Sequence, residues 1–313
     1  QQRQSCQDCT LKDATDLGSN NFAVAGSLTS HSAAILADDM HLSQRVPGIW
    51  YKVQLNWQHN GSTRQVTGLS LPGTPAIVVG SNGKIAWGFT NTTADWHDLV
   101  KIELSADQQQ YLGVDGWQPL RRYQEQILVK DAPVETLTVQ YTEWGPLVSF
   151  PDDQPYALRW VAHEPYAVNF TLRQLELADN AAAALALAPE MGIPAQNLLV
   201  ADASGNIGWT VFGPIPERKL QDWDTAQHWH QGDNYWRERI AASAYPHIFN
   251  PASGRLWSAN ARTVGGEAYQ LLGNGGYDLG ARGRQIADSL RAASQLANAM
   301  TPAVARQRGN PPN

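Results

Sequence analysis

The 313-residue chain has almost no cysteine: two residues, Cys6 and Cys9, in a polar leader. A C-x-x-C with a redox or zinc role needs a βα context or a second ligand pair, and neither accompanies this one. It reads as incidental, or as a local disulfide in an oxidising compartment. Long hydrophobic runs are missing too. No stretch approaches the roughly 18 apolar residues of a membrane span. The opening Gln1-Gln2-Arg3-Gln4-Ser5 has no apolar core and is not a signal peptide; a signal already removed and an internal start both stay open. Charge of one sign is also lacking, with 23 Lys+Arg against 29 Asp+Glu, a net −6 without long runs. That argues against nucleic acid or an anionic membrane as the main partner. No internal repeat is visible.

What is present is length and β signal. A chain of this size buries enough surface to fold without staples. Twelve tryptophans and 18 prolines among 17% charged residues point to a β-rich protein, expected in the periplasm or secreted. Strand patterns run over Phe22–Leu28, Trp50–Trp57, Gln65–Leu71, Leu99–Leu104, Glu125–Val129, Thr136–Tyr141, Ala157–His163 and Arg255–Ala259. Two hairpins are expected. One joins Ala76–Val79 to Lys84–Thr90 through an Asn82-Gly83 pair suited to a type I′ turn. The other joins Leu198–Ala201 to Ile207–Phe212. Helix is expected over Phe170–Met191 and Gly283–Ala297. Residues 217–247 carry no clear period, and the tail Arg306–Asn313 reads as unstructured. The fold class is α+β with packed sheet layers.

Gly18-Ser19-Asn20-Asn21 is the stretch with chemistry in it. Cleavage before Ser19 would expose a serine carrying its own α-amine, a nucleophile and a base near neutrality in one residue. The same tetrapeptide is an ordinary turn sequence, and taken alone the turn is the better reading.

Four further segments change that balance. They are Asp38-Asp39-Met40-His41-Leu42 with Val46–Tyr51; Gly80–Gly83 with Ala86–Asn91; Ala201–Gly208 with Gly213–Arg218; and Asn250–Gly254 with Ser258–Arg262. In this order and spacing after Gly18-Ser19, they closely resemble the penicillin acylase family of N-terminal-nucleophile hydrolases, which includes cephalosporin and acyl-homoserine-lactone acylases. The resemblance runs from Gly18 to about residue 290. It implies an αββα four-layer sandwich of antiparallel sheets, here expected to be incomplete.

The resemblance also assigns roles. Gly18 and Ser19 match the autocleavage site, and Ser19 the nucleophile. His41 matches the residue that orients that nucleophile. An acyl transfer needs donors for its oxyanion; Asn91 matches the backbone N–H donor and Asn260 the side-chain donor, while Arg262 matches a nearby arginine. Leu42 and Val79 stand where phenylacetyl-specific members carry aromatics, which tilts the acyl group toward aliphatic chains. Asp95 and Asp98, with the carbonyls of His97 and Pro216, match a structural calcium site, an oxygen set suited to a hard cation; solvated turn aspartates are the competing reading. No organic cofactor is expected.

Residues 1–18 then read as the end of a spacer, and 19–313 as the first part of a large subunit. The helical small subunit of the same precursor is an expected partner absent from this chain. The leading function is hydrolysis of a linear amide, the N-acyl group of a β-lactam, homoserine lactone or similar small molecule. A catalytically silent homologue that binds a small acyl ligand or partner is the alternative. A carbohydrate-binding β module, prompted by the tryptophans, is the weakest reading.

Overall fold

A computed structural model describes residues 17–42, 46–220, 222 and 224–293. Cys6, Cys9, the rest of the leader to residue 16, and the tail beyond 293 lie outside the described residues. Ten strands form two core sheets: Gly18–Val24 (β1), Ile35–His41 (β2), Tyr51–His59 (β3), Ser62–Ser70 (β4), Val79–Ser81 (β5), Ile85–Asn91 (β6), Gln196–Asp202 (β7), Ile207–Phe212 (β8), His247–Phe249 (β9) and Arg255–Ser258 (β10). One sheet has the order β10-β1-β2, the other β9-β8-β7-β6-β5-β4-β3, with antiparallel neighbours throughout.

Periodicity explains how the sheets stack. Along β1 the residues alternate between half-buried and buried, with Ser19, Asn21 and Ala23 on the covered side. That is the two-residue period of a strand. The covered side packs on β6 and β7 of the larger sheet. Strand β8 is buried at every position, and β7 at all but its first, because both of their faces are covered. On the far face, the helix Ala181–Ala186 packs against β7 and β8. A Cβ on Gly208 would stand 2.6 Å from Leu185, so glycine there lets helix and sheet close up. The outer face of the small sheet carries Trp257 opposite Phe22. The helical residues 281–293 lie beside it, with Gly283 at the Trp257 ring. The layers therefore run helix, sheet, sheet, helix, as the α+β αββα expectation has it.

The core holds Trp87, Phe89, Leu198, Leu199, Ile207, Trp209 and Phe212. Each such side chain contributes roughly 1.5–3 kcal/mol by leaving water. A second cluster, around Trp144, Trp229, Trp236 and Val100, lies under the sheet Leu147–Ser149, Pro155–Trp160, His97–Lys101. These three tryptophans are core residues, as are Trp87 and Trp209, so none of the five is available to a carbohydrate platform. Among the described residues no helix is long and apolar enough to cross a membrane.

Several local expectations are corrected. The Asn82-Gly83 turn is not type I′, because Gly83 has positive φ while Asn82 does not. The Asn82 side chain instead accepts from the Lys84 and Ile85 N–H groups and donates to the carbonyls of Glu176 and Ala178. The single helix over Phe170–Met191 is a 3₁₀ segment Thr171–Leu177, a short α-helix Ala181–Ala186 and a 3₁₀ turn Ala188–Glu190. Asn180 breaks it: extended, it caps the Ala183 N–H with its side chain, as an N-cap does. Strand β2 was not anticipated, and 217–247 contains the hairpin partner Tyr235–Arg239 of Pro216–Lys219.

Candidate active site

Strand β1 delivers Ser19 to the gap between the sheets, with the residue only 8% exposed. Asn260 arrives from just beyond β10. Its backbone is left-handed at φ 64°, a conformation asparagine tolerates better than most residues. Its carbonyl, accepting from Thr93 Oγ1 and the Asp278 N–H, anchors it there. So held, Asn260 Oδ1 accepts from the Ser19 N–H at 2.8 Å. Asn260 Nδ2 lies 3.4 Å from Ser19 Oγ and 3.3 Å from the Asn91 carbonyl oxygen. Two residues 241 apart in sequence thus meet at one amide.

Arg282 completes this cluster, and sequence reasoning had missed it. Its Nη1 donates to the Ser19 carbonyl at 2.6 Å and to Asn20 Oδ1 at 2.9 Å. Its Nη2 donates to Asn260 Oδ1 at 2.8 Å and pairs with Asp278. Five donors in a planar fork make such a junction possible. A Cβ on Gly18 would stand 2.8 Å from Arg282 Nη2 and 3.2 Å from Asn260 Oδ1. The guanidinium fills the space that any other residue at 18 would need. Arg262, the arginine expected here, lies elsewhere: its guanidinium stacks 4.9 Å over Tyr269, and it lines a crevice with Trp257 and Arg284.

His41 is placed differently from expectation. The β1–β2 register pairs Gly18 with His41 and Ser19 with Met40. Opposed residues share a face, so the imidazole is on the outer face with Asn20, away from the Ser19 hydroxyl. Its Nε2 lies 2.9 Å from Asp39 Oδ2 and 3.1 Å from Asn20 Nδ2. Among the described hydrogen bonds none joins His41 to Ser19. The inner face holds Asp38 opposite Asn21. Neither side chain has a hydrogen-bond partner, and burial, helped by the Asp39 charge, pushes the Asp38 carboxyl up to about 8.

A cavity of about 490 Å³ opens beside Ser19 and is lined by Asn91 and Asn260 together with Met40, Leu42, Val79 and Leu172. The structure thus brings Ser19, Asn91, Asn260, Leu42 and Val79 to one place. The wall is mostly apolar with a set of polar groups that includes Ser19, Asn91, Thr93 and Asn260, the usual make-up of a small-molecule site.

The expected calcium ligands also lie near one another. Buried Asp95 pairs with Arg218 at 2.9 Å, and Arg218 also donates to the Asp95 and Leu272 carbonyls. Asp98 Oδ2 is buried without a partner, the Trp236 indole N–H nearby being unpaired as well. Burial and the Asp95 charge push the Asp98 carboxyl up to about 7. One guanidinium facing two carboxylates leaves a carboxylate oxygen uncompensated, which is the chemistry that suits a hard cation. His97 contributes an exposed ring at a strand start and Pro216 opens its own strand. Among the described residues no three His, Cys, Asp or Glu side chains converge, so backbone oxygens would have to supply the remaining ligands.

The family model described as penicillin amidase matches residues 1–308. The chain belongs to the penicillin amidase family. It is 30% identical over 279 residues to an acyl-homoserine lactone acylase QuiP of Pseudomonas syringae pv. syringae, covering 85% of this chain and 33% of that protein. It is 28% identical to penicillin acylase 2 proenzyme of Pseudomonas sp. strain SE83, covering 80% and 33%. With penicillin G acylase of Escherichia coli the identity is 26%, covering 77% and 28%. The chain thus spans about a third of the length of these relatives. The fold matches that of a thermostable penicillin G acylase from Alcaligenes faecalis, with TM-score 0.71 at 22% identity over 83% of this chain and 46% of that one.

Proposed function

We propose that this chain carries the nucleophile of an amide hydrolase of the penicillin amidase family, activated by its own cleavage at Gly18–Ser19. The observation behind the reading is the Asn260 amide, which meets Ser19 at both its nitrogen and its hydroxyl. In the cleavage step Ser19 Oγ attacks the Gly18 carbonyl carbon. The bond to the Ser19 nitrogen breaks, and that nitrogen takes the hydroxyl proton. Water then hydrolyses the resulting ester, leaving a Gly18 carboxylate, a free hydroxyl and a free α-amine.

In turnover the same hydroxyl attacks the substrate amide, passing its proton to the α-amine. The tetrahedral oxyanion is held by the Asn91 N–H and Asn260 Nδ2, fixed donors of the kind worth roughly 10²–10³ in rate each. Collapse expels the leaving amine, which takes the proton back. Water releases the acid from the acyl-serine. Beside Trp50 and Phe89 in the same lining, the aliphatic Leu42 and Val79 favour an aliphatic acyl chain on a β-lactam, homoserine lactone or similar small amine. Calcium, held by Asp95, Asp98 and the His97 and Pro216 carbonyls, would have a structural part. A small subunit would complete the open side of the pocket, and a periplasmic or secreted setting suits the family.

Mass spectrometry of the purified protein tests the reading, together with hydrolysis of an N-acyl chromogenic amide. The expected result is a cut between Gly18 and Ser19 with turnover, and neither in Ser19→Ala. A Ser19→Ala protein that still cleaves itself or substrate refutes it. An intact chain that binds acyl amides without turnover would establish a silent binder instead.

A further inference from the structure

We infer that Asn197 is a positioning residue for both oxyanion donors, an inference that rests on the function proposed above. Asn197 sits in β7 directly opposite Thr90 of β6, and it is only 2% exposed. An asparagine there interrupts a strand buried on both faces, and burying an amide costs free energy unless it is fully bonded. This one is. Its Oδ1 accepts from the Trp209 indole N–H at 3.0 Å. Its Nδ2 donates to Thr90 Oγ1 at 3.1 Å and to the Asn91 carbonyl at 3.2 Å. The Thr90 hydroxyl in turn donates a hydrogen bond to Ser258 Oγ at 2.8 Å, which ties the larger sheet to the smaller one.

The Asn91 carbonyl is the junction. It belongs to the residue whose N–H is one donor. It also accepts from Asn260 Nδ2 at 3.3 Å, so it sets the rotation of the amide that is the other donor. Asn197 holds that carbonyl from behind. By bonding the Thr90 side chain and the Asn91 carbonyl together, it fixes the chain on both sides of the Asn91 N–H. An amide that donates both protons and accepts one bond has a single orientation. Trp209 therefore selects that orientation: with the indole donating to Oδ1, Nδ2 must face Asn91. Preorganised donors cost no reorganisation at the moment of reaction. Asn197 would supply that order without touching substrate.

Asn197→Ala should lower kcat by about tenfold or more, with KM changing much less, since the lost interaction matters only as charge develops. The affinity for an alkylboronic acid, which forms a tetrahedral serine adduct, should fall by the same factor as kcat/KM. Trp209→Phe keeps an aromatic side chain and removes the indole donor; it should show the same pattern, more weakly, and serves where the alanine variant folds poorly. Amide hydrogen exchange at Asn91, measured on the same proteins, should rise about tenfold in Asn197→Ala whether or not substrate is turned over. A lower melting temperature with unchanged kcat, boronate affinity and Asn91 exchange would overturn the inference and leave Asn197 a packing residue. A wild-type protein without turnover whose Asn91 exchange still rises in the variant would sink the enzyme reading and retain the positioning role.

Discussion

Replacing Asp38 by asparagine should make the protein more stable at alkaline pH and leave it unchanged in acid. Asp38 faces β6, where a Cβ on Gly88 would stand 2.6 Å from its Cβ and Cγ. The carboxylate therefore lies tight against backbone, with both oxygens unpartnered. Its pKa rises from 3.8 to about 8, through burial first and the Asp39 charge second, partly offset by the nearby Phe89 backbone N–H. A carboxyl raised on folding is protonated in the folded state while the unfolded chain ionises. Its stabilisation is fully present below pH 4 and is lost as pH rises through 8. At 1.36 kcal/mol per tenfold the full effect has a ceiling of roughly 6 kcal/mol. Relaxation and water entry reduce the effective cost of a buried ion, so a gain of at least about 2 kcal/mol is expected for Asp38→Asn at pH 8.5. Asparagine has the same shape and carries no charge. Urea unfolding of both proteins at pH 4, 6, 7 and 8.5, compared at constant m, reads the difference directly. Two stability curves that stay parallel across this range would refute the reasoning.

Gly18→Ala should slow self-cleavage by about tenfold or more, because the new methyl displaces Arg282 and Asn260 Oδ1; the processed fraction against time, by mass, checks it. Arg282→Gln should move the acidic limb of the pH–rate profile to higher pH as well as lowering kcat. Asp98→Asn removes the carboxylate whose buried Oδ2 has no hydrogen-bond partner beside Asp95. It should abolish any rise in melting temperature that calcium gives the wild type, while chelator alone should lower the wild-type value toward the variant's. A calcium effect that survives the substitution would remove Asp98 from the ligand set.

Much of the site was legible because its pieces keep their order along the chain. Ser19, Asn91, Asn260, Leu42 and Val79 meet at one cavity, as the ordered motifs imply. Arg282 was not legible. Asp278 and Arg282 read as an i,i+4 surface ion pair, and nothing local says that the guanidinium also reaches Ser19 and Asn260. Asn197 left a fainter signal, one polar residue in a strand otherwise fit for burial on both faces. His41 escaped for a geometric reason. Its side of the sheet depends on the parity of the β1–β2 register, and a shift of one residue moves every side chain to the other face. The turn between Val24 and Ile35 sets that parity, and its conformation is not written in the alternation of either strand. The broken helix after Phe170 failed similarly, since Leu172, Leu175, Ala181 and Ala184 are buried and a helical period fits them with or without the interruption at Asn180.

The parity of β1 also divides the labour around Ser19, and that division says how an α-amine could serve as base. The hydroxyl side faces the cavity, Asn91 and the Asn260 amide. The other side carries Arg282, Asn20, His41 and Asp39, linked one to the next by hydrogen bonds. Under the proposed cleavage at Gly18–Ser19, the nitrogen that donates to Asn260 Oδ1 would become an amine with an ordinary pKa of about 7.7–8.0. A protonated amine cannot take the hydroxyl proton, so the base needs a lower value. Arg282 donates to the same Oδ1 and to the carbonyl of Ser19 itself. A permanent cation at that distance disfavours a second positive charge on the amine. On the proposed mechanism, removing it in Arg282→Gln would raise the amine pKa and put more of the protein in the ammonium form, which cannot act as base, at a given pH. The acidic limb moves up for that reason. Asp278, paired with Arg282, works against this effect, and Asp278→Asn should therefore move the same limb down. An arginine that served only to pack the strand end would leave the limb where it was in both variants.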